Sequence, residues 1–325
     1  MGLLSESREG QIQELIDSSE KNVSLVKRTW IHRGGIVGRW IQPQNIDDLK
    51  DTAIYLYRKG AQFLTIGYTS NMYLKNTYNV DYVLDTRKVK FLSKIDANTI
   101  ECACGLPIKV LVEYCIKNGY QGFEGMIDLP GTVAGAVVNN SGCFGCIIED
   151  RLLSIQLLTP SGDVEVIPKM DLMFSFRNSA LKVGKLQGVI LSVRFDISKR
   201  QLPSDLIKIA QSNHEKRKSS QDSPAFNLGT TVNTSGGYVG IRGLILRVLR
   251  RILARLPMDN LKAQSIINLI ACALFGCISV NKYISKHRMS CFIWKDNNAD
   301  MMFNKYMLMM NRLFSSCSQE IEIKE

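Results

Sequence analysis

The sequence holds no apolar run long enough to cross a bilayer. The best candidate, residues 266–280, is shorter than the roughly 20 residues a spanning helix needs, and Asn268 interrupts it, so it reads as a core helix. A leader pattern is missing too, and Glu6 stands where the myristoylation pattern after Met1-Gly2 requires Ser or Thr. The nine cysteines include one CxxC, from Cys143 to Cys146, and the tighter pair Cys102 and Cys104, but no second CxxC at zinc spacing. No metal site is expected. An odd number of thiols in an enzyme-like composition reads as free, buried cysteines in a reducing cytoplasm. Acidic residues are the scarcer charge, 30 Asp and Glu against 41 Lys and Arg, a net charge of +11. That balance suits nucleic acid, an anionic membrane or a phosphorylated substrate. No zinc-finger or RNA-binding signature accompanies it, so nucleic acid is not an expected partner.

What is present suffices for a full core. The chain has 325 residues, 45% of them hydrophobic and 22% charged, enough for two or three subdomains and too apolar for gross disorder. The most distinctive stretch is residues 122–145, GFEGMIDLPGTVAGAVVNNSGCFG. Six glycines there are interleaved with Pro130, Thr132, Ala134, Ala136 and the polar run from Asn139 to Ser141. Two readings fit. One is a tightly packed, turn-rich hairpin. The other is a backbone surface laid against a flat, phosphate-bearing ligand, with N–H groups turned towards the anion.

Taken in order, residues 1–21 are polar with a mild helical pattern and read as an exposed extension. Residues 43–56 read as a helix start: Asn45 can cap it, Asp47 and Asp48 lie in the first turn, and Ile46, Leu49, Ala53 and Leu56 form the apolar stripe. A short strand at 62–66 runs into Gly67, Tyr68, Thr69, Ser70 and Asn71, a turn able to present N–H and hydroxyl donors to a diphosphate. Residues 80–84, 99–103, 152–158, 164–167 and 189–197 read as strands. Residues 107–117 read as a helix closed by Asn118-Gly119. Residues 205–211 look helical. Residues 241–256, IRGLILRVLRRILARL, predict a helix with five arginines among Leu, Ile and Val. It is either a surface helix whose arginine stems cover apolar surface or a basic amphipathic helix for an anionic membrane. Residues 299–314 predict a helix whose Met row is core, and residues 319–323 a terminal strand.

Three of these stretches together resemble the UDP-N-acetylenolpyruvoylglucosamine reductases. The segment from Pro130 to Gly145 is similar to that family's G-I-P-G-[ST]-V-G-G-A-x-x-x-N-A-G-A-Y-G, matching at Pro130, Gly131, Thr132, Val133, Gly135, Ala136, Asn140, Gly142 and Gly145. Asp128, Ala134 and Ser141 depart from it. Residues 67–71 resemble the family's L-G-x-G-S-N-L loop, and residues 173–179 its F-x-Y-R-x-S. Arg33-Gly34-Gly35, Ser285-Lys286-His287 and the terminal EIEI are weaker likenesses, with His287 read as structural.

The resemblance implies an α+β fold: a two-subdomain FAD-binding domain of vanillyl-alcohol-oxidase type at 22–198, then a smaller substrate domain at 199–325 with a basic helical insert at 236–260. It implies FAD, NADPH as reductant and a UDP-sugar substrate. It places Gly67, Tyr68, Thr69, Ser70, Asn71, Pro130, Gly131, Thr132, Gly135, Ala136, Asn140, Gly142 and Ile190 beside the cofactor. Arg177, after a segment expected to be an aromatic strand, then suits a carboxylate or enolate oxygen. Thr230, aligned with the family's proton-donating Ser, would supply the proton, and Glu320 would take the place of the catalytic carboxylate. Thr231 is the rival for Thr230. Two alternatives stand beside this reading: a paralogue acting on another nucleotide sugar, and a flavin-binding scaffold without turnover.

Overall fold

The computed structural model describes residues 5–223, 225–234 and 236–325. The fold is α+β, and the chain divides into two compact units that are each discontinuous in sequence. The first comprises the N-terminal stretch to Leu25, Ile36–Thr69 and Asn79–Arg217. The second comprises Val26–Gly35, Ser70–Tyr78 and Lys218–Glu325. A single cut near residue 198 therefore does not describe the chain: two short excursions and the terminal third share one core.

The first unit is built on two sheets. One has the order Glu20–Ser24, Ile36–Ile41, Tyr82–Asp85, Phe63–Ile66, antiparallel at its first pair and parallel at the other two. The other is antiparallel, in the order Val164–Pro168, Leu152–Leu158, Val189–Asp196, Thr99–Ala103, Leu92–Lys94. Its central strand reads VILSVRFD and is buried on both faces through Val193, an apolar run broken only by Ser192, whose hydroxyl donates to Glu101 at 2.6 Å. The edge strand ends in Pro168 and leaves Val164 and Val166 exposed, as an edge tolerates.

Helix Ile46–Arg58 starts at Asn45, whose side chain accepts the Asp48 N–H at 2.9 Å. Its Leu49, Ala53, Ile54 and Leu56 enter the core. The first residues are not an exposed extension. Helix Glu6–Asp17 buries Ile12 and Ile16 in that core, and Arg8 bridges Asp48 at 2.9 Å and Asp51 at 2.7 Å. Two isoleucines four residues apart were enough to make a docking face.

The second unit has an aromatic core. Phe292 stacks on Tyr283 at 5.7 Å and meets Trp294 and Tyr306 at 4.9 and 5.2 Å. Helix Ala299–Leu313 contributes Phe303, Met302, Met309 and Met310 to it. The expected terminal strand is two short ones. Ser318–Gln319 pairs with Val232–Asn233, and Glu322–Lys324 pairs in parallel with Met72–Leu74, while Ile321 between them is buried. Arg33, nearly buried, lies 3.5 Å from Asp300, and its neighbour Gly35 admits no Cβ because the Tyr78 carbonyl oxygen would lie 2.2 Å away. That motif is structural.

Candidate cofactor and substrate sites

In the first unit the two glycine-bearing loops lie against each other. A Cβ built on Gly67 would fall 2.5 Å from Thr132 Oγ1 and 2.7 Å from its Cγ2. Thr132 opens the short helix Val133–Val138, its Oγ1 accepting the Gly135 N–H at 3.3 Å. Behind it the backbone is pinned to the loop 104–108. Ala134 donates to the Cys104 carbonyl, Val133 to Leu106, and Ile108 to Gly131. The strand before Gly67 is held by Thr86, whose Oγ1 donates to the Ile66 carbonyl at 2.9 Å.

The N–H groups of residues 133–135 are thus spent within the fold, against the simple expectation that the whole stretch turns its nitrogens outwards. Four others are not. Among the described residues, the N–H groups of Gly67, Tyr68, Gly131 and Thr132 donate to no protein acceptor. They come from two loops in contact, which is the donor set an anionic diphosphate needs. Gly131 has φ 133°, a conformation suited to Gly. Asp128, which departs from the family pattern, has φ 58° in the left-handed region that Asp tolerates, and its carboxylate meets His214 Nδ1 at 2.5 Å.

Arg177 belongs to the same constellation. Its Nη2 donates to the Gly142 carbonyl at 2.6 Å. It does not follow a strand. Ser175 and Asn178 exchange backbone hydrogen bonds of 3.2 and 3.1 Å, so Phe176 and Arg177 form the corner of a tight turn, with Phe176 exposed and Arg177 at φ 54°. An alternating aromatic pattern does not distinguish a strand from such a corner. Asn140 supports the turn through Nδ2 to the Ser175 carbonyl at 3.0 Å, and Lys182 Nζ reaches the Arg177 carbonyl at 3.0 Å. Asn140 Oδ1 is buried without a partner. Pro130 is exposed at the mouth of the loop, Ala136 is buried, and Ile190 is buried in the central strand opposite Leu157.

The sequence reading missed the pair under Tyr68. Asp85 is fully buried and holds Arg87 by two bonds of 2.7 and 2.8 Å, with a third from Gln42. The hydrogen bond to Asp85 raises the Arg87 guanidinium pKa further, and the guanidinium lies 5.8 Å from the Tyr68 ring centroid. An acidic residue ending the buried run YVLD was the available signal. Burial pushes the Cys104 thiol up to about 12 and the Cys146 thiol up to about 11, so both stay protonated at neutral pH.

Thr69 ends the first unit's part of the 67–71 loop, and Ser70 and Asn71 begin the second unit's. There Asn71 accepts the Glu322 N–H at 2.9 Å through its carbonyl and donates from Nδ2 to the Glu320 carbonyl at 3.4 Å. Glu320 in turn donates its N–H to the Thr231 carbonyl at 3.0 Å. Thr230, Glu320 and Asn71 are therefore neighbours in the second unit, while Arg177 belongs to the first. Thr231 is fully buried, and its Oγ1 accepts the Phe292 N–H at 3.0 Å. Thr230 is half-buried. Ser285 is buried too and orders its own loop, accepting the backbone N–H groups of His287 and Arg288 while donating to Asp222. Ser235, five residues after Thr230, lies outside the described residues.

Comparison with known proteins agrees with this architecture. A family model described as FAD binding domain matches residues 39–167. The UDP-N-acetylenolpyruvoylglucosamine reductase of Trichormus variabilis is 32% identical over 151 residues, 46% of this chain and 45% of that protein. The reductase of the same name from Synechocystis is 26% identical over 265 residues, 77% of this chain and 83% of that one. The first of these alignments spans about half the relative's length. The crystal structure of the Thermus caldophilus reductase superposes with a TM-score of 0.53 at 20% identity, covering 73% of this chain and 95% of that one. The chain thus carries an FAD-binding domain over residues 39–167 and shares its fold with the Thermus caldophilus reductase.

Proposed function

We propose that this chain is a UDP-N-acetylenolpyruvoylglucosamine reductase, which binds FAD and uses NADPH to reduce the enol ether of UDP-N-acetylenolpyruvoylglucosamine, giving UDP-N-acetylmuramate for peptidoglycan synthesis. The observation that carries it is the contact of Gly67 with Thr132, which joins two loops bearing four uncommitted N–H groups. The absence of a Cβ at Gly67 lets the loop pack onto the Thr132 side chain, and two loops so joined, with uncommitted N–H groups on both, suit a cofactor diphosphate. Gly67, Tyr68, Thr69, Ser70, Asn71, Pro130, Gly131, Thr132, Gly135, Ala136, Asn140, Gly142 and Ile190 would hold the FAD. When bound, FAD supplies hydride acceptance from NADPH and hydride delivery to the enol-ether carbon.

The chain's own residues then handle charge and proton. Arg177 carries a planar fork of donors, held in place by Nη2 on the Gly142 carbonyl, and a fork of that geometry suits the substrate carboxylate as negative charge builds on it. Thr230 carries a half-buried hydroxyl that would deliver the proton. Glu320, set beside Thr231 by a backbone bond, would polarise the carboxylate or assist that transfer. The second unit is read as the substrate domain. All nine cysteines are free, which supports a reducing, cytoplasmic site of action.

A second reading, reduction or oxidation of another nucleotide sugar, is favoured by one departure: the segment 225–234 lacks the Lys and Pro that accompany the donor Ser in the family pattern. The deciding experiment is stopped-flow. The purified protein is expected to be yellow, bleached by NADPH, and reoxidised by UDP-N-acetylenolpyruvoylglucosamine faster than by any other UDP-sugar in a panel. Reoxidation by a different sugar alone favours the second reading. A yellow protein that NADPH does not bleach is a scaffold, and a colourless one that takes up no FAD overturns the proposal.

A further inference from the structure

Helix Gly240–Leu253 takes no part in the chemistry above, and it has two apolar sides. The inner side is explained. Gly243, Leu246 and Leu253 are buried, and a Cβ on Gly243 would fall 2.8 Å from the Tyr238 backbone, so the helix lies tight on its own unit. The outer side is not. Ile241, Leu244, Ile245, Val248 and Ile252 recur three or four residues apart, and all are exposed, Ile241 by 80%, Leu244 by 54% and Ile252 by 52%. At 3.6 residues per turn the five fall within roughly 100° of arc, a stripe as wide as the one a helix normally buries.

Arginines border this stripe. Arg247 and Arg251 lie along one flank and Arg255 just past the helix end, all exposed, and among the described residues none forms an ion pair. Arg242 is occupied differently, its guanidinium 4.7 Å from the Phe275 ring centroid. No Asp or Glu occurs from Gly236 to Met258. We propose that this helix lies in the plane of an anionic phospholipid surface, the stripe at the level of the upper acyl chains and the arginines on lipid phosphates. Charge complementarity selects this occupant. A second copy of the same face would bring three arginines against three. Arginine stems can follow the apolar surface while the guanidinium heads stay at headgroup level. No helix among the described residues is long and apolar enough to cross a membrane, so the contact is peripheral. The proposal holds whether or not the reductase reading does, because it is read by vesicle binding rather than by flavin chemistry.

The full chain is tested by flotation with phosphatidylcholine vesicles with and without phosphatidylglycerol. Binding is expected only to the anionic vesicles and should weaken with added salt. Arg247→Gln with Arg251→Gln and Arg255→Gln should lower the affinity on the order of a hundredfold, as loss of three basic groups near an anionic surface does. Ile245→Gln with Ile252→Gln should lower it about tenfold or more, since two anchoring side chains leave the lipid. These positions are exposed, so circular dichroism and thermal midpoint should match the parent chain. Absence of binding to anionic vesicles, or equal binding by the parent and both variants, overturns the proposal. So does a doubling of mass in sedimentation that Ile245→Gln with Ile252→Gln abolishes, which would make the stripe a protein contact.

Discussion

Gly67 rests on the side chain of Thr132, so close that a Cβ at position 67 would stand 2.5 Å from Oγ1. The atoms it would meet are also the ones that cap Gly135, so they cannot swing away without cost. Gly67→Ala should therefore spread the two loops. Overpacking of this kind costs about 1–3 kcal/mol, which corresponds to roughly a tenfold to hundredfold rise in the FAD Kd if it falls wholly on the bound state. Thr132→Ala in the same chain should restore part of the affinity, less about 1 kcal/mol for the lost cap. Fluorescence titration of FAD into the apoprotein reads both. An unchanged Kd in Gly67→Ala would remove the loop contact from the cofactor site.

Much of this site was legible in the sequence because it rests on local chemistry. Glycines, a Thr at a helix start and a strand ending in Gly-x-x-Ser-Asn carry their geometry with them. Asn45 and the strands at 99–103 and 152–158 were readable for the same reason. What was not readable depended on distant partners. Nothing near Arg33, Asn71 or Tyr73 announces that these segments join the core of residues 218–325. The role of Asp85 and Arg87 under Tyr68 needs two strands to be paired first. The turn at Phe176 and Arg177 was mistaken for a strand because its closing bonds join Ser175 to Asn178, not to a neighbouring strand.

Arg177 should serve chemistry more than stability. Its Nη2 donates to the Gly142 carbonyl at 2.6 Å at a turn corner beside an exposed Phe176, and Lys182 ties the Arg177 backbone carbonyl. Arg177→Lys keeps the charge but loses the planar fork. The variant should bind FAD and be reduced by NADPH normally, while reoxidation by the enolpyruvyl substrate slows on the order of a hundredfold or more. Rapid-mixing traces of the two half-reactions separate these effects. Normal reoxidation would take Arg177 out of the mechanism.

The buried thiols set an alkaline limit on stability. Burial pushes Cys102, Cys104, Cys272 and Cys291 each up to about 12, against about 8.5 for a thiol in an unfolded chain. Between those values the unfolded chain loses protons that the folded chain keeps. The unfolded state then binds fewer protons, so stability falls as pH rises. The contribution is fully present below about pH 8 and is progressively lost towards pH 12. Urea midpoints should be lower at about pH 10 than at about pH 7.5. A thiol reagent at mildly alkaline pH should modify the half-buried Cys143 and Cys317 first, and the seven buried ones only on unfolding. Equal rates for all nine would contradict this burial.

Thr230 and Thr231 are adjacent hydroxyls with different surroundings, and the difference separates a donor from a scaffold residue. Thr231 is fully buried, its Oγ1 accepts the Phe292 N–H at 3.0 Å, and its carbonyl receives the Glu320 N–H. Thr231→Val leaves the Phe292 N–H buried without an acceptor, a loss of about 1–3 kcal/mol. Its effect should appear in the unfolding midpoint. Thr230 is half-buried and makes no such bond, so Thr230→Val should leave the midpoint within about 0.5 kcal/mol of the parent. A hydroxyl gives up its proton only to a strong carbon base held close to it, and in the proposed reaction the carbon beside the substrate carboxylate would be that base. Thr230→Val should then keep flavin reduction by NADPH intact while slowing product formation about 10²–10⁴-fold. Thr230→Ser retains the proton and drops a methyl that restricts χ1, so its turnover should equal or exceed the parent's. Should Thr231→Val instead fold normally and lose turnover while Thr230→Val does not, the donor is one residue later. If both variants turn over normally, proton delivery in this chain comes from elsewhere, and the reading as a reductase of the enolpyruvyl sugar gives way to that of a paralogue with another nucleotide sugar.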